Sequence, residues 1–366
     1  MGKPTLYLEK ACELREAIRR GDYADGAFLS EAQVMRKFGI GRQTAVRILN
    51  ELVKDGLIVR RRGSGTFLSR LGRHATGRIG LIVHGSDYCE LFAPVAKQIS
   101  QSCQRSGYSL LFGDVSSLCT AERIRKVLRL VERFLSDGVD GVIFQPIELV
   151  PDASETNCKI ARRFTAAGVP LVLLDSDIAM PPERSPYDLV SVDHMAVGRR
   201  LANHLRQAGA SRVVYLTQKD RAPCVLERQT GVALGCKGLP LPGKAVFAEP
   251  DDLAAIRRML KRDRPDAIAC YNDRQAALLL QTLTKLGKRV PQDVKVAGFD
   301  DVQCARLTMP PLTTMRQPCE EIGATVVKLL IERIRNPTLS VRSILLDSRL
   351  VVRESTVPAC KLKRML

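Results

Sequence analysis

The rhythm of hydrophobic and polar positions changes once along the chain, near residue 77. Before that point apolar residues recur at helical spacing. Leu14, Ala17 and Ile18 give one apolar face to a helix predicted from Leu6 to Arg20, which Gly21 stops. Ser30-Glu31-Ala32-Gln33 is a capping-box pattern in which Ser30 caps a second helix and Gln33 reaches back, and that helix is expected to end near Phe38. Gly39-Ile40-Gly41 makes a tight turn into a third helix, Arg42 to Lys54, stopped by Asp55-Gly56. Leu57-Ile58-Val59-Arg60 and Thr66-Phe67-Leu68 then flank Arg61-Arg62-Gly63-Ser64-Gly65, which reads as a hairpin with a basic, glycine-rich tip.

Beyond residue 77 short apolar runs alternate with amphipathic stretches. Strands are predicted at 79–83, 108–112, 139–144, 171–174, 189–192, 213–216, 245–247, 267–271 and 294–299. Helices are predicted between them, at 92–106, 121–136, 197–207, 252–261 and 274–286. Regular alternation of this kind implies parallel sheets with helices on both faces. About nine such units are too many for one small sheet, so the predicted fold class is α/β, with two doubly wound parallel-sheet lobes and a cleft between them, preceded by a small winged helix-turn-helix domain. A length of 366 residues agrees, since about 150 residues per domain gives two or three domains. The expected division is a head at 1–70, a linker at 71–77, the two lobes at 78–356 and a basic tail at 357–366. Ligands of doubly wound sheets bind beyond the carboxyl ends of the strands, so residues just after each strand are the site candidates.

Charge adds a partner to this picture. The formal net charge is +18, and residues 1–77 hold 15 Lys and Arg against 8 Asp and Glu, more than twice the excess per residue of the remaining chain. That locates a polyanion site in the head. The third helix supports it through its two faces. Gln43, Arg47, Asn50 and Lys54 form a polar stripe, while Ala45, Ile48, Leu49, Leu52 and Val53 are expected to pack on the preceding helices. A helix fits the major groove, and Gln and Arg side chains make bidentate contacts to base edges. Arg60, Arg61 and Arg62 on the hairpin would neutralise phosphates or enter the minor groove.

Other classes are poorly supported. No apolar run approaches the roughly 18 residues of a membrane span, and no secretion signal opens the chain, so it is expected to stay in the cytoplasm. The 11 cysteines form no CxxC pair and read as reduced thiols, mostly small core hydrophobes. No GxSxG, GxxxxGK[ST] or HExxH motif appears, and no cofactor, metal or catalytic residue is predicted.

Two resemblances extend the reading. FLSEAQVMRKFGIGRQTAVRILNELVKDGLIVRRRGSGTFLS, residues 28–69, resembles the gluconate-repressor (GntR) class of winged-helix DNA-binding domains, with RRGSGTF the most specific part. The resemblance implies DNA contacts by Arg42 and Thr44, by the wing-tip Gly65 and by the cap residue Ser30. Leu29, Ala32 and Val46 depart from the class pattern, and Arg47 on the polar stripe can stand in for the arginine missing at Val46. From about Arg78 to Ser355 the chain resembles the effector domain of the lactose/galactose-repressor family, which shares its fold with periplasmic sugar-binding proteins. RIGLIV, DGVDGVIFQP, AGVPLVLLDSD, RPDAIACYNDRQAA, VPQDVKVAGFDD and PPLTTMRQP carry that likeness, in family order.

This second resemblance implies that Arg228, Asn272 and Asp300 hold ligand hydroxyls, with Glu148, Ser86 and Asp87 as further candidates. A polyol offers donors and acceptors together, which Arg, Asp and Asn satisfy in both directions. Tyr88, Phe92, Phe144, Tyr271 and Phe299 are candidate stacking surfaces, each with a core role as the alternative. The implied protein is a repressor-type regulator that senses a monosaccharide or related polyol, with a purine or other metabolite as the alternative effector. A free-standing sugar-binding protein would need export and no head. The expected partners are double-stranded DNA with a pseudo-palindromic operator, a small-molecule effector and a second copy of the chain.

Overall fold

The computed structural model describes residues 6–20, 22–23, 28–55, 57–61, 65–68, 76–83, 89–113, 115, 119–148, 152–219 and 222–358. The head consists of α1 (Leu6–Arg20), α2 (Glu31–Phe38), α3 (Arg42–Lys54), β1 (Ile58–Arg61) and β2 (Gly65–Leu68), with the two strands antiparallel. The capping box forms as its sequence requires: Gln33 N donates to Ser30 Oγ at 3.1 Å, and Ser30 N donates to Gln33 Oε1 at 2.7 Å. Gly39 then turns left-handed at φ +62°, which a side chain disfavours, and lets α3 start across α2. Leu14, Ile18, Val34, Ile48, Leu49 and Leu52 fill the space between the three helices. Val53 does not join them. It is 38% exposed, because the buried stripe runs through Ala45, Ile48, Leu49 and Leu52 and leaves Val53 at its margin.

The rest of the chain builds two six-stranded sheets. The first contains β3 (Arg78–Ile82), β4 (Ser109–Phe112), β5 (Gly141–Phe144), β6 (Leu171–Leu174), β7 (Asp188–Val192) and β13 (Ser343–Leu346), in the order β13-β7-β6-β5-β3-β4. It is flanked by α4 (Cys89–Arg105), α5 (Thr120–Ser136), α6 (Ala153–Ala166) and α12 (Cys319–Arg335). The second contains β8 (Arg212–Thr217), β9 (Leu241–Phe247), β10 (Ala267–Cys270), β11 (Lys295–Asp300), β12 (Thr313–Arg316) and β14 (Arg349–Val351), in the order β14-β12-β11-β10-β8-β9. Its helices are α7 (His194–Gln207), α8 (Pro223–Gly235), α9 (Leu253–Asp263), α10 (Asp273–Lys285) and the short α11 (Gln303–Leu307).

The chain passes between the lobes three times: after β7, after β12 and between β13 and β14. The third passage corrects the expectation of purely parallel sheets. It leaves the cleft end of β13 and enters the second lobe within residues 347–348, so β14 runs away from the cleft, antiparallel to β12. The last three strands were also outside the alternating pattern. Thr313 and Thr314 are buried polar residues whose hydroxyls bond Arg353 O and Asp273, so β12 lacks an apolar signature.

Two local features set the geometry of the cleft. Helices α7 and α8 meet backbone to backbone at glycines: a Cβ on Gly198 would stand 2.2 Å from Arg228 O, and one on Gly231 would stand 2.1 Å from Met195 O. At the start of the first lobe, Thr76 N and Gly77 N donate to Asp140 at 2.9 and 2.8 Å, so the end of the expected linker is already held. Residues 71–75 and the basic tail from 359 lie outside the described residues. The cysteines are less uniformly buried than expected, with four of the nine described free thiols buried and Cys12 and Cys119 exposed.

Candidate functional site

The cleft between the lobes is built from residues that follow strands. Arg228 on α8 is its centre, only 5% exposed. Its Nη1 donates to Tyr271 O at 2.9 Å, its Nη2 to Asp300 Oδ1 at 3.2 Å, and its Nε to His194 Nδ1 at 3.1 Å. The ring of Phe299 lies beneath the guanidinium, 5.0 Å from Cζ to centroid. Asp300 also accepts from Gln317 Nε2 at 2.7 Å. A guanidinium N–H can only donate, so His194 Nδ1 accepts and the imidazole proton sits on Nε2. That nitrogen faces Asp175 Oδ1 at 3.7 Å, longer than a hydrogen bond.

On the first-lobe side Glu148 accepts from Ser176 Oγ at 2.9 Å, and the Cys224 thiol lies 4.0 Å from the same oxygen. Burial, reinforced by the charge of Asp175, pushes the Glu148 carboxyl up to about 8. Burial also opposes the charge of Asp175, but the imidazole of His194 and the Arg228 cation outweigh it and hold that carboxyl below its ordinary value. A polar chain therefore runs from Gln317 through Asp300, Arg228 and His194 to Asp175, joining second lobe, crossover helix and first lobe. Beside it opens a cleft of about 280 Å³, lined by Asp175, Ser176, Cys224 and Glu227 among others.

The backbone at the end of β11 is bent to deliver Asp300. Asp300 and Asp301 both have positive φ, +110° and +55°. Such conformations cost on the order of 1–3 kcal/mol for a residue with a side chain and persist only where the surroundings fix them. Asp301 supplies the fixing, with Arg316 and Arg353 each at 2.5 Å from its fully buried carboxylate.

The sequence candidates divide as follows. Arg228 pairs with Asp300, and Glu148 adjoins the cleft residues Asp175 and Cys224; all three are buried beside the cavity rather than among its described lining. Asn272 adjoins the Tyr271 carbonyl that Arg228 holds, but its Oδ1 is spent capping α10 through Gln275 N at 2.9 Å. Ser86, Asp87 and Tyr88 lie outside the described residues. Phe144 is fully buried in the first-lobe core and offers no stacking face; Phe92 and Tyr271 are buried too, and Phe299 is buried under Arg228. Asp175, Ser176, His194, Cys224 and Gln317 were missed. Asp175 directly follows β6 and His194 opens α7 after β7, so the rule that ligands sit past strand ends would have found them. Gln317 follows β12, a strand the pattern hid.

On the head, Gln43, Arg47, Asn50 and Lys54 are all exposed along one side of α3. Arg42 is exposed as well and donates through Nε to Glu31 Oε2 at 2.9 Å, while Thr44 is half-buried. Arg47 lies 6.0 Å from the ring of Tyr7. Arg60 is exposed on β1, Arg61 ends that strand, and Arg62 lies outside the described residues. Ser30 uses its hydroxyl as the helix cap. Gly65 has φ +105°, and a Cβ there would stand 2.3 Å from the Phe28 ring, which packs edge-on against Phe67 at 5.5 Å. Gly65 is thus needed to seat the wing on the segment leading into α2, where Phe28 bridges Phe67, whatever the wing touches.

A winged helix-turn-helix presenting a polar helix face, joined to two lobes that close on buried polar groups, defines a DNA-binding transcription regulator with an effector domain. Residues 6–68 match the bacterial regulatory proteins of the gntR family, and residues 202–356 match the periplasmic binding protein-like domain, so the chain is a GntR-type head fused to a periplasmic-binding-protein-like domain. Curated relatives are named transcriptional repressors. The chain is 27% identical to the arabinose metabolism transcriptional repressor of Halalkalibacterium halodurans over 91% of this chain and 92% of that one. It is 29% identical to the HTH-type transcriptional repressor PurR of Pasteurella multocida, over 77% and 82% of the two chains. Among solved structures, a complex of the transcriptional regulator CelR with cellobiose superposes with a TM-score of 0.64 at 22% identity, covering 96% of this chain and 100% of that one. None of the helices described is long and apolar enough to cross a membrane.

Proposed function

We propose that this chain is a cytoplasmic, homodimeric repressor whose operator binding is controlled by a monosaccharide or related polyol held between the lobes. The observation that carries the reading is the buried Arg228 fork, which sets Asp300, the Tyr271 carbonyl and His194 around one guanidinium at the cleft. Donors and acceptors in such density suit a ligand that is both, and a sugar hydroxyl is both. The relative named for arabinose metabolism and the cellobiose complex of the superposable regulator support the same class.

In this reading Gln43, Thr44 and Arg47 read base edges, while Arg42, Arg60, Arg61 and Arg62 hold phosphates or the minor groove, with Gly65 at the wing tip and Ser30 at the start of α2 close to the backbone. A dimer presents two such helices to the half-sites of a pseudo-palindrome. Because the chain crosses between the lobes three times, a ligand that closes them also moves the crossover segments, which is how occupancy would reach the dimer and the head. Thermal unfolding of the full chain with monosaccharides and purine bases as separate panels tests the ligand class. A true effector raises the melting temperature in proportion to RT ln(1 + [L]/Kd). Stabilisation by a monosaccharide is expected; stabilisation by purines alone would replace the reading.

A further inference from the structure

The chain is strongly basic, with 57 Lys and Arg against 39 Asp and Glu, and elsewhere it sets cations against buried carboxylates. Asp301 has Arg316 and Arg353, Asp188 has Arg333 at 2.8 Å, and Asp263 has Lys244 at 2.8 Å and Arg262 at 2.6 Å. The 280 Å³ cleft breaks this habit. Among the described residues its walls carry Asp175, Asp177, Glu183, Asp193 and Glu227 against one arginine, Arg184, which is exposed, with the buried Arg228 cation behind Asp175. Asp177 and Asp193 accept backbone N–H groups, which bring no cation to them. Among the described residues Glu183 and Glu227 make no ion pair. Behind the wall, Glu148 offers an oxygen within 4.8 Å of ligand atoms of both Asp175 and Cys224, two residues that line the cleft.

A second observation does not depend on counting charges. Nε2 of His194 is buried, with the residue 1% exposed, and among the described residues it has no hydrogen-bond partner, the cleft residue Asp175 standing 3.7 Å away. An unbonded buried donor is costly, and a guest carrying an acceptor would offset that cost. The cleft therefore asks for two things at once: positive charge against its carboxylates, and an oxygen for His194.

We infer that the effector is a polyol bearing a protonated amine, with Glu227, Asp175 and Glu148 taking the amine and Arg228, Asp300 and His194 taking hydroxyls. The inference rests on reading the cleft as a polyol site. An ammonium group brings three donors and a charge, so it can bond to several carboxylates at once, whereas a hydroxyl leaves their charge uncompensated. It would also relieve Glu148, which burial and Asp175 otherwise push up to about 8. A divalent metal would bring the charge too, with Glu148, Asp175 and Cys224 as its candidate ligands, and the metal arm of the test below separates the two.

The test is calorimetric titration of the full chain with D-glucosamine, D-galactosamine and D-mannosamine, each beside its parent sugar and its N-acetyl derivative. At least one amine is expected to bind about tenfold or more tightly than both neutral counterparts, the scale of one charge-assisted hydrogen bond. Glu227→Gln is expected to erase that preference while the chain keeps its cooperative melt. Parent sugars that bind as tightly as their amines would overturn the inference and leave the polyol reading standing. Binding of purines alone would remove both. Binding of no amine, or a preference that appears only with added Zn²⁺ or Mg²⁺, would also overturn it.

Discussion

Arg228 donates through Nε to Nδ1 of His194 at 3.1 Å, which ties the ligand-cleft arginine of α8 to the first residue of the crossover helix α7. The bond fixes the imidazole proton on the side of Asp175, so one guanidinium orients groups from both lobes. It also means that Arg228 acts on structure and on ligand together, and its replacement should show both effects.

Arg228→Ala is expected to abolish effector response and to cost about 3–5 kcal/mol of stability, since it leaves Asp300 buried with only Gln317 beside it. Arg228→Lys restores the charge but not the fork, so it should recover stability more than response. Denaturant unfolding and effector titration of both variants check this. An Ala variant still released from DNA by effector would remove Arg228 from the site.

The glycine crossing of α7 and α8 yields a prediction far from any ligand atom. A methyl group on Gly231 would stand 2.1 Å from the Met195 carbonyl, which is backbone and cannot rotate away. Gly231→Ala should force the helices apart, cost at least about 1–3 kcal/mol and weaken effector binding by lengthening the Arg228–His194 bond. Gly238→Ala, at a left-handed turn with nothing near its Cβ position, is the contrasting case, with loss of stability and unchanged ligand affinity.

Glu148 predicts a pH dependence. The folded chain keeps this proton up to about 8, against an ordinary value of 4.5. Between those values the folded state binds one proton more than the unfolded state, so the group's contribution is complete below about 4.5 and is lost as pH rises through 8. Glu148→Gln should therefore melt higher than the parent at pH 8.5, with the gap closing towards pH 5. Parallel melting curves across that range would contradict the assignment.

On the head, Arg47→Ala should cost about 1–3 kcal/mol on the operator and relax preference at one base position. Arg60→Ala should weaken binding to all sequences and lower the salt dependence by about one phosphate contact. Anisotropy on operator and scrambled duplexes at two salt concentrations separates the two. Equal loss on both duplexes for Arg47→Ala would make it a phosphate contact.

Much of this architecture is legible in the chain itself, and the reasons for the misses are physical. Helices α1, α2 and α3 lie where the apolar stripes placed them, with the capping box of Ser30 and the turn at Gly39 marking the two ends of α2. Strands β5 and β6 announce themselves as fully buried apolar runs. Thr313 and Thr314 hide β12 because their buried hydroxyls are satisfied by groups about 40 residues away, which no local pattern contains. The cleft was half legible. Arg228 and Asp300 stood out by motif, whereas the value of Asp175, His194 and Cys224 arises only when three separate passages of the chain bring them together.

The central claim is that a sugar-class ligand in this cleft controls DNA binding by the head. Fluorescence anisotropy of the full chain on duplex DNA from upstream of its own gene, titrated with neutral and amino monosaccharides, tests it most directly. One of these sugars is expected to shift the operator affinity of the parent chain and to have no effect on Arg228→Ala. Tight, salt-sensitive binding that no sugar alters, but that a purine base does, would contradict the account.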